Sequence, residues 1–236
     1  MKRFFFLILF SLFLYGCNSI GDEKVHVMVD HSYEEVPQTL AEVVNSSDVI
    51  VKGTFNELKD KINMIRKGDD PTVPADEVYS EGHVYEFETV KTYKGEVPNL
   101  IDVAISYGSE IQVVDEKGNN IGKVFVESLE YAELKDDYAY ILFLVDSSIA
   151  ENLYTRASIL YLIEIDDDED VHFISKRMSG ELSDHVKTDD NHYAKYTTQY
   201  REDFAADIIQ EVGIVNNYLK DERISNLNEL EKWLAE

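Results

Sequence analysis

Apolar residues recur along this chain at two spacings, and each predicts a different kind of element. Between residues 48 and 175 they come in short runs or in strict alternation, the spacing of strands. The run Asp48-Val49-Ile50-Val51-Lys52-Gly53-Thr54-Phe55 is rich in β-branched residues and predicts a buried strand. Residues 84–93 alternate, with Tyr85, Phe87 and Thr89 on one face, and predict a long strand closed by the turn Lys94-Gly95-Glu96-Val97-Pro98-Asn99. Further strands are predicted at 100–106, 111–115, 123–127, 137–145, 157–165 and 171–175, with Lys117-Gly118-Asn119-Asn120 as a hairpin turn. Residues 57–82, charged and interrupted by Gly68-Asp69-Asp70-Pro71 and Pro74, read as a loop with one helical turn around 58–65. Strand after strand with no long helix between them predicts a mostly antiparallel sheet, closed or nearly closed.

Helical spacing flanks this region. Thr39 with Glu42 three residues on makes a capping box before Val43 and Val44. After Gly180, Tyr193, Tyr196, Tyr200, Phe204, Ile208, Val212, Val215 and Leu219 follow one another at intervals of three or four and predict one stripe of a helix, with Gly213 as its weak point. Asn226 with Glu229 opens a last helix presenting Leu227, Leu230, Trp233 and Leu234. The fold class expected is α+β, a mostly antiparallel β barrel with C-terminal helices packed on it.

The N-terminus follows a different rule. Met1-Lys2-Arg3 precedes an apolar and aromatic run over residues 4–15, interrupted only by Ser11, and then Gly16-Cys17. A basic start, an apolar stretch too short for a span of roughly 20 residues, and a small residue before the cut predict a signal peptide over residues 1–16. Leu14-Tyr15-Gly16-Cys17 resembles the lipobox of bacterial lipoproteins, departing from it in the bulk of Tyr15. The resemblance implies a diacylglycerol on Cys17, palmitate-type chains anchoring the mature protein to the external face of the cell membrane, and a cut before that cysteine. Each buried methylene contributes about 0.8 kcal/mol, so two chains hold where one binds marginally. Cys17 is the sole cysteine, which rules out an intramolecular disulfide and leaves stability to packing. Residues 17–37, polar and acidic, read as a tether, although Val25, Val27 and Val29 alternate as an edge strand would. Residues 38–178 then form the β-barrel-like domain and residues 179–236 the C-terminal helical segment.

Charge narrows the partners. The chain carries 22 Lys+Arg against 47 Asp+Glu, a net charge of −25, and −27 once Lys2 and Arg3 leave with the signal peptide. Such a surface repels nucleic acid and anionic lipid. The order of Ser47 to Thr54, Tyr85 to Glu96 and Tyr138 to Leu144 resembles a pattern of Gram-positive exported proteins and, more loosely, the netrin-like domain of metalloproteinase inhibitors, an OB-type barrel. Netrin-like inhibitors use disulfides and a free N-terminal cysteine, which this chain does not offer, so the resemblance implies the fold, and inhibition of a protease only by analogy.

Catalytic patterns are missing: no Gly-x-Ser-x-Gly, His-Glu-x-x-His, Gly-x-Gly-x-x-Gly or phosphate loop occurs. Asp166, Asp168 and Asp170 stand at the first, third and fifth positions of a calcium loop, which predicts weak calcium binding at most, because Val171 replaces the glycine and Arg177 the bidentate glutamate. Asp184, His185, Asp189, Asp190 and His192 crowd one polar loop of metal-capable groups without a regular ligand spacing. Fifteen tyrosines fit core packing or a carbohydrate-type ligand. The expectation is a non-enzymatic envelope module that binds an envelope protein or a small ligand. The alternative is an envelope hydrolase or metal-dependent enzyme using the 184–192 loop.

Overall fold

The computed structural model describes residues 25–29, 37–114, 119–176, 178, 193–201, 204–211 and 218–235. Helix α1 (Leu40–Ser46) starts where the capping box puts it: the Thr39 hydroxyl accepts the Glu42 N–H at 3.2 Å, and the Glu42 carboxylate accepts the Gln38 N–H at 2.7 Å. It buries Leu40 and Val43 and hands the chain directly to a core strand.

That strand, β2 (Val49–Asn63), opens an antiparallel meander with β5 (Ser80–Lys94) and β6 (Leu100–Val114), each 15 residues long. The loop expected at 57–82 is therefore largely strand: β2 runs on to Asn63, and β3 (Arg66–Lys67) and β4 (Asp70–Pro74) form a small hairpin. Charge misleads here because this end of the ribbon projects into solvent. Lys59 and Lys61 are held by cross-strand partners, Asp102 at 2.7 Å and Glu81 at 3.0 Å. Likewise the strands expected at 100–106 and 111–115 are, as far as residue 114, one strand, β6. Gly95, in the turn after β5, has φ +76°, and a side chain there would strike the Asp48 carbonyl.

The sheet continues with β7 (Asn120–Glu127), β8 (Ala139–Asp146), β9 (Leu153–Arg156), β10 (Leu162–Ile165) and β11 (Val171–Phe173). Its order is β11-β10-β8-β2-β5-β6-β7, and β9 pairs parallel with β6 and antiparallel with β8, which makes the sheet mixed. The hairpin expected around Asn119 and Asn120 is present as the β6–β7 pair. Tyr140 to Leu144 of β8 are all fully buried, so both faces of this strand are covered. On one face Tyr140 meets Phe55 edge-on at 5.3 Å; on the other Phe143 lies 6.3 Å from Phe173, which in turn meets Tyr218.

Tyr218 belongs to the one-turn helix α2 (Tyr218–Asp221), and α3 (Leu227–Leu234) follows, capped by Asn226, whose side chain accepts the Glu229 N–H. Leu230 is fully buried, and Leu227, Trp233 and Leu234 pack against the same core, as the capping and spacing predict. Glu231 ties α3 to the sheet through the Tyr93 hydroxyl at 2.5 Å and the ammonium groups of Lys52 and Lys91, each at 2.9 Å.

The Tyr93 hydrogen bond, then Lys52 and Lys91, outweigh burial and hold the Glu231 carboxyl down to about 2. Because the folded value lies below the ordinary 4.5, its contribution is complete above pH 4.5 and is lost as pH falls from there towards 2. Glu231→Gln is expected to cost about 1–2 kcal/mol at pH 7 after discounting for solvent screening. Urea melts at pH 7, 4 and 3 should show the gap to wild type closing; a gap constant with pH would refute the ionic tie.

The long helix expected over 193–219 is a correction. Residues Tyr193–Arg201 and Phe204–Glu211 are antiparallel strands, β12 and β13, and Val25–Val29, inside the expected tether, is strand β1, parallel to β13 in a three-stranded sheet β1-β13-β12. Tyrosine and threonine dominate β12, residues that favour a pleated surface, and β1, where Val25, Val27 and Val29 alternate as an edge strand would, pairs with β13 181 positions along the chain, a pairing no local period reveals.

Candidate functional site

Two groups of polar side chains stand out. The first lies on the β10–β11 hairpin, where Ile165 pairs with Val171 and Glu164 with His172. The connecting turn closes through the Asp166 N–H to the Asp170 carbonyl at 3.1 Å and the Glu169 N–H to the Asp166 carbonyl at 3.0 Å. Oδ1 of Asp166 accepts the N–H groups of Asp168 at 3.0 Å and Asp170 at 2.9 Å. Burial works to raise the Asp166 carboxyl, but the N–H groups of Asp170 and Asp168 and the imidazole of His172 together hold it below its usual range.

Among the described residues, ligand-capable atoms of Asp166, Asp170 and His172 gather within 4.8 Å of one another. Of the three aspartates read as a calcium loop, Asp166 and Asp170 are thus brought together. Asp168 instead gives its N–H to Asp166, and the third member of the group is His172, which the calcium-loop spacing does not pick out. The hairpin is also the seat of α3: the Leu227 N–H donates to the Glu169 carbonyl at 2.9 Å, the Val171 N–H to the Ser225 carbonyl at 3.1 Å, and Asp170 bridges to Asn226.

The second group lies on β5 and the strands beside it. Glu81 and His83 are two apart on one strand, hence on one face. Glu81 accepts from Lys61 at 3.0 Å and the Tyr79 hydroxyl at 3.2 Å, and pairs with Nε2 of His83 at 2.8 Å. Burial raises the Glu81 carboxyl, and His83 with Lys61 outweigh it, so the net shift is downward. An ionised Glu81 only accepts, so Nε2 of His83 is the donor in this pair.

The imidazole is buried and stacks on Tyr107 at 4.2 Å and 13°, with Tyr131 edge-on to Tyr107 at 5.0 Å and 89°. Lys61 and Lys176 lie over the faces of Tyr107 and Tyr131, and Lys176 pairs with Glu127. Nδ1 of His83 and the hydroxyl of Tyr161 are buried without a hydrogen-bond partner among the described residues. Each such group costs about 1–3 kcal/mol unless water or a ligand meets it. Burial also drives the Tyr161 hydroxyl far above its ordinary range, so it stays neutral as a donor. The signal for this group was the Glu81-x-His83 alternation, hidden because the segment to Gly82 reads as a loop.

Cys17 and the loop bearing Asp184, His185, Asp189, Asp190 and His192 lie outside the described residues. No helix among the described residues is long and apolar enough to cross a membrane. No family model, no curated protein and no solved structure matches this chain.

Proposed function

We propose that this chain is an exported, lipid-anchored protein of the cell envelope that works as a non-enzymatic binding module on the external face of the membrane. The observation that carries the reading is Leu14-Tyr15-Gly16-Cys17 after a basic start and a short apolar run, with the sole cysteine at the position a lipobox requires. The body of the module is an OB-like barrel. In support, β9 pairs with both β6 and β8, so the path β8-β2-β5-β6-β9 returns to β8 with one parallel step, as a five-stranded barrel of that type does.

The partner is an envelope protein or a small ligand rather than nucleic acid, given a net charge of −25. The face around His83 and Tyr107 is the place for it, because aromatic area there adjoins buried polar atoms that still need partners. Expression of the full chain and of Cys17→Ser, followed by detergent phase partitioning and labelling with a palmitate analogue, tests the anchor. The wild type should enter the detergent phase carrying label, and the variant should lose the label and all membrane association. Full membrane partitioning of Cys17→Ser would overturn the reading.

A further inference from the structure

Glu81, His83, Tyr85 and Phe87 alternate onto one face of β5 and grade from polar to apolar along it. Phe87 is fully buried against Phe55 at 4.9 Å, Phe55 meets Tyr85 edge-on at 5.7 Å, and Glu81 stands at the other end with Lys61. Between these ends Tyr85 and Tyr131, both half-buried, are hydrogen-bonded to each other. Their rings lie beside the imidazole of His83, at centroid distances of 6.2 and 5.9 Å, and both are near enough to Tyr161 to act on its hydroxyl. Nδ1 of His83 and the Tyr161 hydroxyl, each buried without a hydrogen-bond partner among the described residues, therefore flank one tyrosine pair that solvent reaches. Buried polar atoms are nearly always met by a partner, and two unmet ones beside a half-open aromatic wall point to a ligand.

The backbone supplies a further aromatic face here. Gly82 pairs with Ser106 and Glu81 with Gly108, so Tyr107 is the extra residue of a bulge in β6. A bulge re-aims a side chain, and this one lays the Tyr107 ring on His83 at 4.2 Å.

The surroundings set the chemistry of the ligand. Charges come with their opposites: Lys61 pairs with Glu81 and Lys176 with Glu127, while Arg156 and Glu130 act on the Tyr161 hydroxyl in opposite senses. An ion of either sign gains little from such a wall. The rings meet at right angles, 89° between Tyr107 and Tyr131 and 83° between His83 and Tyr131, which makes a corner and not the parallel slot that a planar heterocycle fills. A phenolic hydroxyl both donates and accepts, and Nδ1 does one or the other, so hydroxyl groups, which serve in either role, suit both atoms.

We propose that this face binds an uncharged saccharide, a sugar ring lying against Tyr107 and Tyr131 with its hydroxyls meeting Nδ1 of His83 and the Tyr161 hydroxyl. The inference rests on the reading of the His83 face as the binding site and is independent of the lipid anchor.

The test is calorimetric titration of the purified full chain with chitotriose and maltotriose, both uncharged, and with trigalacturonate and adenosine, alongside Tyr161→Phe and His83→Gln. Tyr161→Phe removes an oxygen that has no partner among the described residues, so its melting temperature should equal that of the wild type or exceed it. At least one of the uncharged trisaccharides should bind, one per chain, with a Kd of about 1 mM or tighter, and each variant should weaken it about fivefold or more. A lowered melting temperature in Tyr161→Phe would overturn the assignment of that hydroxyl to a ligand. Absence of binding by both trisaccharides, or tighter binding of trigalacturonate or adenosine that both variants weaken, would overturn the saccharide class alone. Trisaccharide binding unchanged in both variants would overturn the His83 face as the site.

Discussion

Gly53→Ala should destabilise the protein by about 3 kcal/mol or more, a large part of the 5–15 kcal/mol typical of a folded domain. A Cβ at this position would lie 1.9 Å from the carbonyl oxygen of Glu88 and 2.8 Å from the Phe87 ring. The first of these is backbone, and it cannot turn aside. Nor can β2 retreat, since it is flanked by β5 on one side and β8 on the other, with Gly53 paired to Thr89 and to Tyr140. The close approach sits where the β2–β5 register shifts, so the missing side chain is what lets the strand bend there. Urea unfolding should show a lowered midpoint at unchanged slope. Gly68→Ala is the control: its Cβ meets nothing within 4 Å, and it should be nearly neutral. A loss below about 1 kcal/mol at Gly53 would mean that the two strands are not so tightly joined.

Phe143→Ala should cost about 3–5 kcal/mol, through lost apolar burial and the cavity it leaves. The side chain is fully buried in the middle of β8 and reaches the helical end of the core through Phe173 and Tyr218. Tyr218 in turn donates its hydroxyl to the Pro37 carbonyl just before α1, so the same contact chain joins the start of α1 to the C-terminal helices. Trp233, the only tryptophan, reports on α3, while far-ultraviolet circular dichroism reports on the sheet. In Phe143→Ala both signals should move together to a lower midpoint, because β8 and the helices share one core. Val90→Ala, at a position 71% exposed, should change stability by less than about 0.5 kcal/mol. A fluorescence transition that separates from the sheet transition would contradict the shared core.

What could be read in advance is what local chemistry decides. The Thr39–Glu42 and Asn226–Glu229 boxes each mark a helix start, because capping is settled within four residues. β8 was legible as an apolar run, and Tyr85 and Phe87 as the inward face of β5. Pairing at long range was not legible. Residues 193–211 carry a helical period and a strand composition at once, and the choice falls to β1, far away in sequence. The second half of β2 looked like a loop because its charges are satisfied across strands, by Asp102 and Glu81. The trio at the hairpin was half legible: two aspartates belong to one turn, whereas His172 joins them only through the β10–β11 register. Glu81 and His83 share a face only once the segment is known to be a strand.

Strand β1 limits how far the protein extends from its proposed anchorage. Val25 lies eight positions after Cys17, and a fully stretched chain covers at most about 3.6 Å per residue, or about 29 Å in all. A free linker up to residue 37 would permit more than twice that height. With β1 paired to β13, the proposed anchorage would hold the Val25 end of their sheet within about 29 Å of the lipid headgroups, near enough to meet molecules lying on the bilayer.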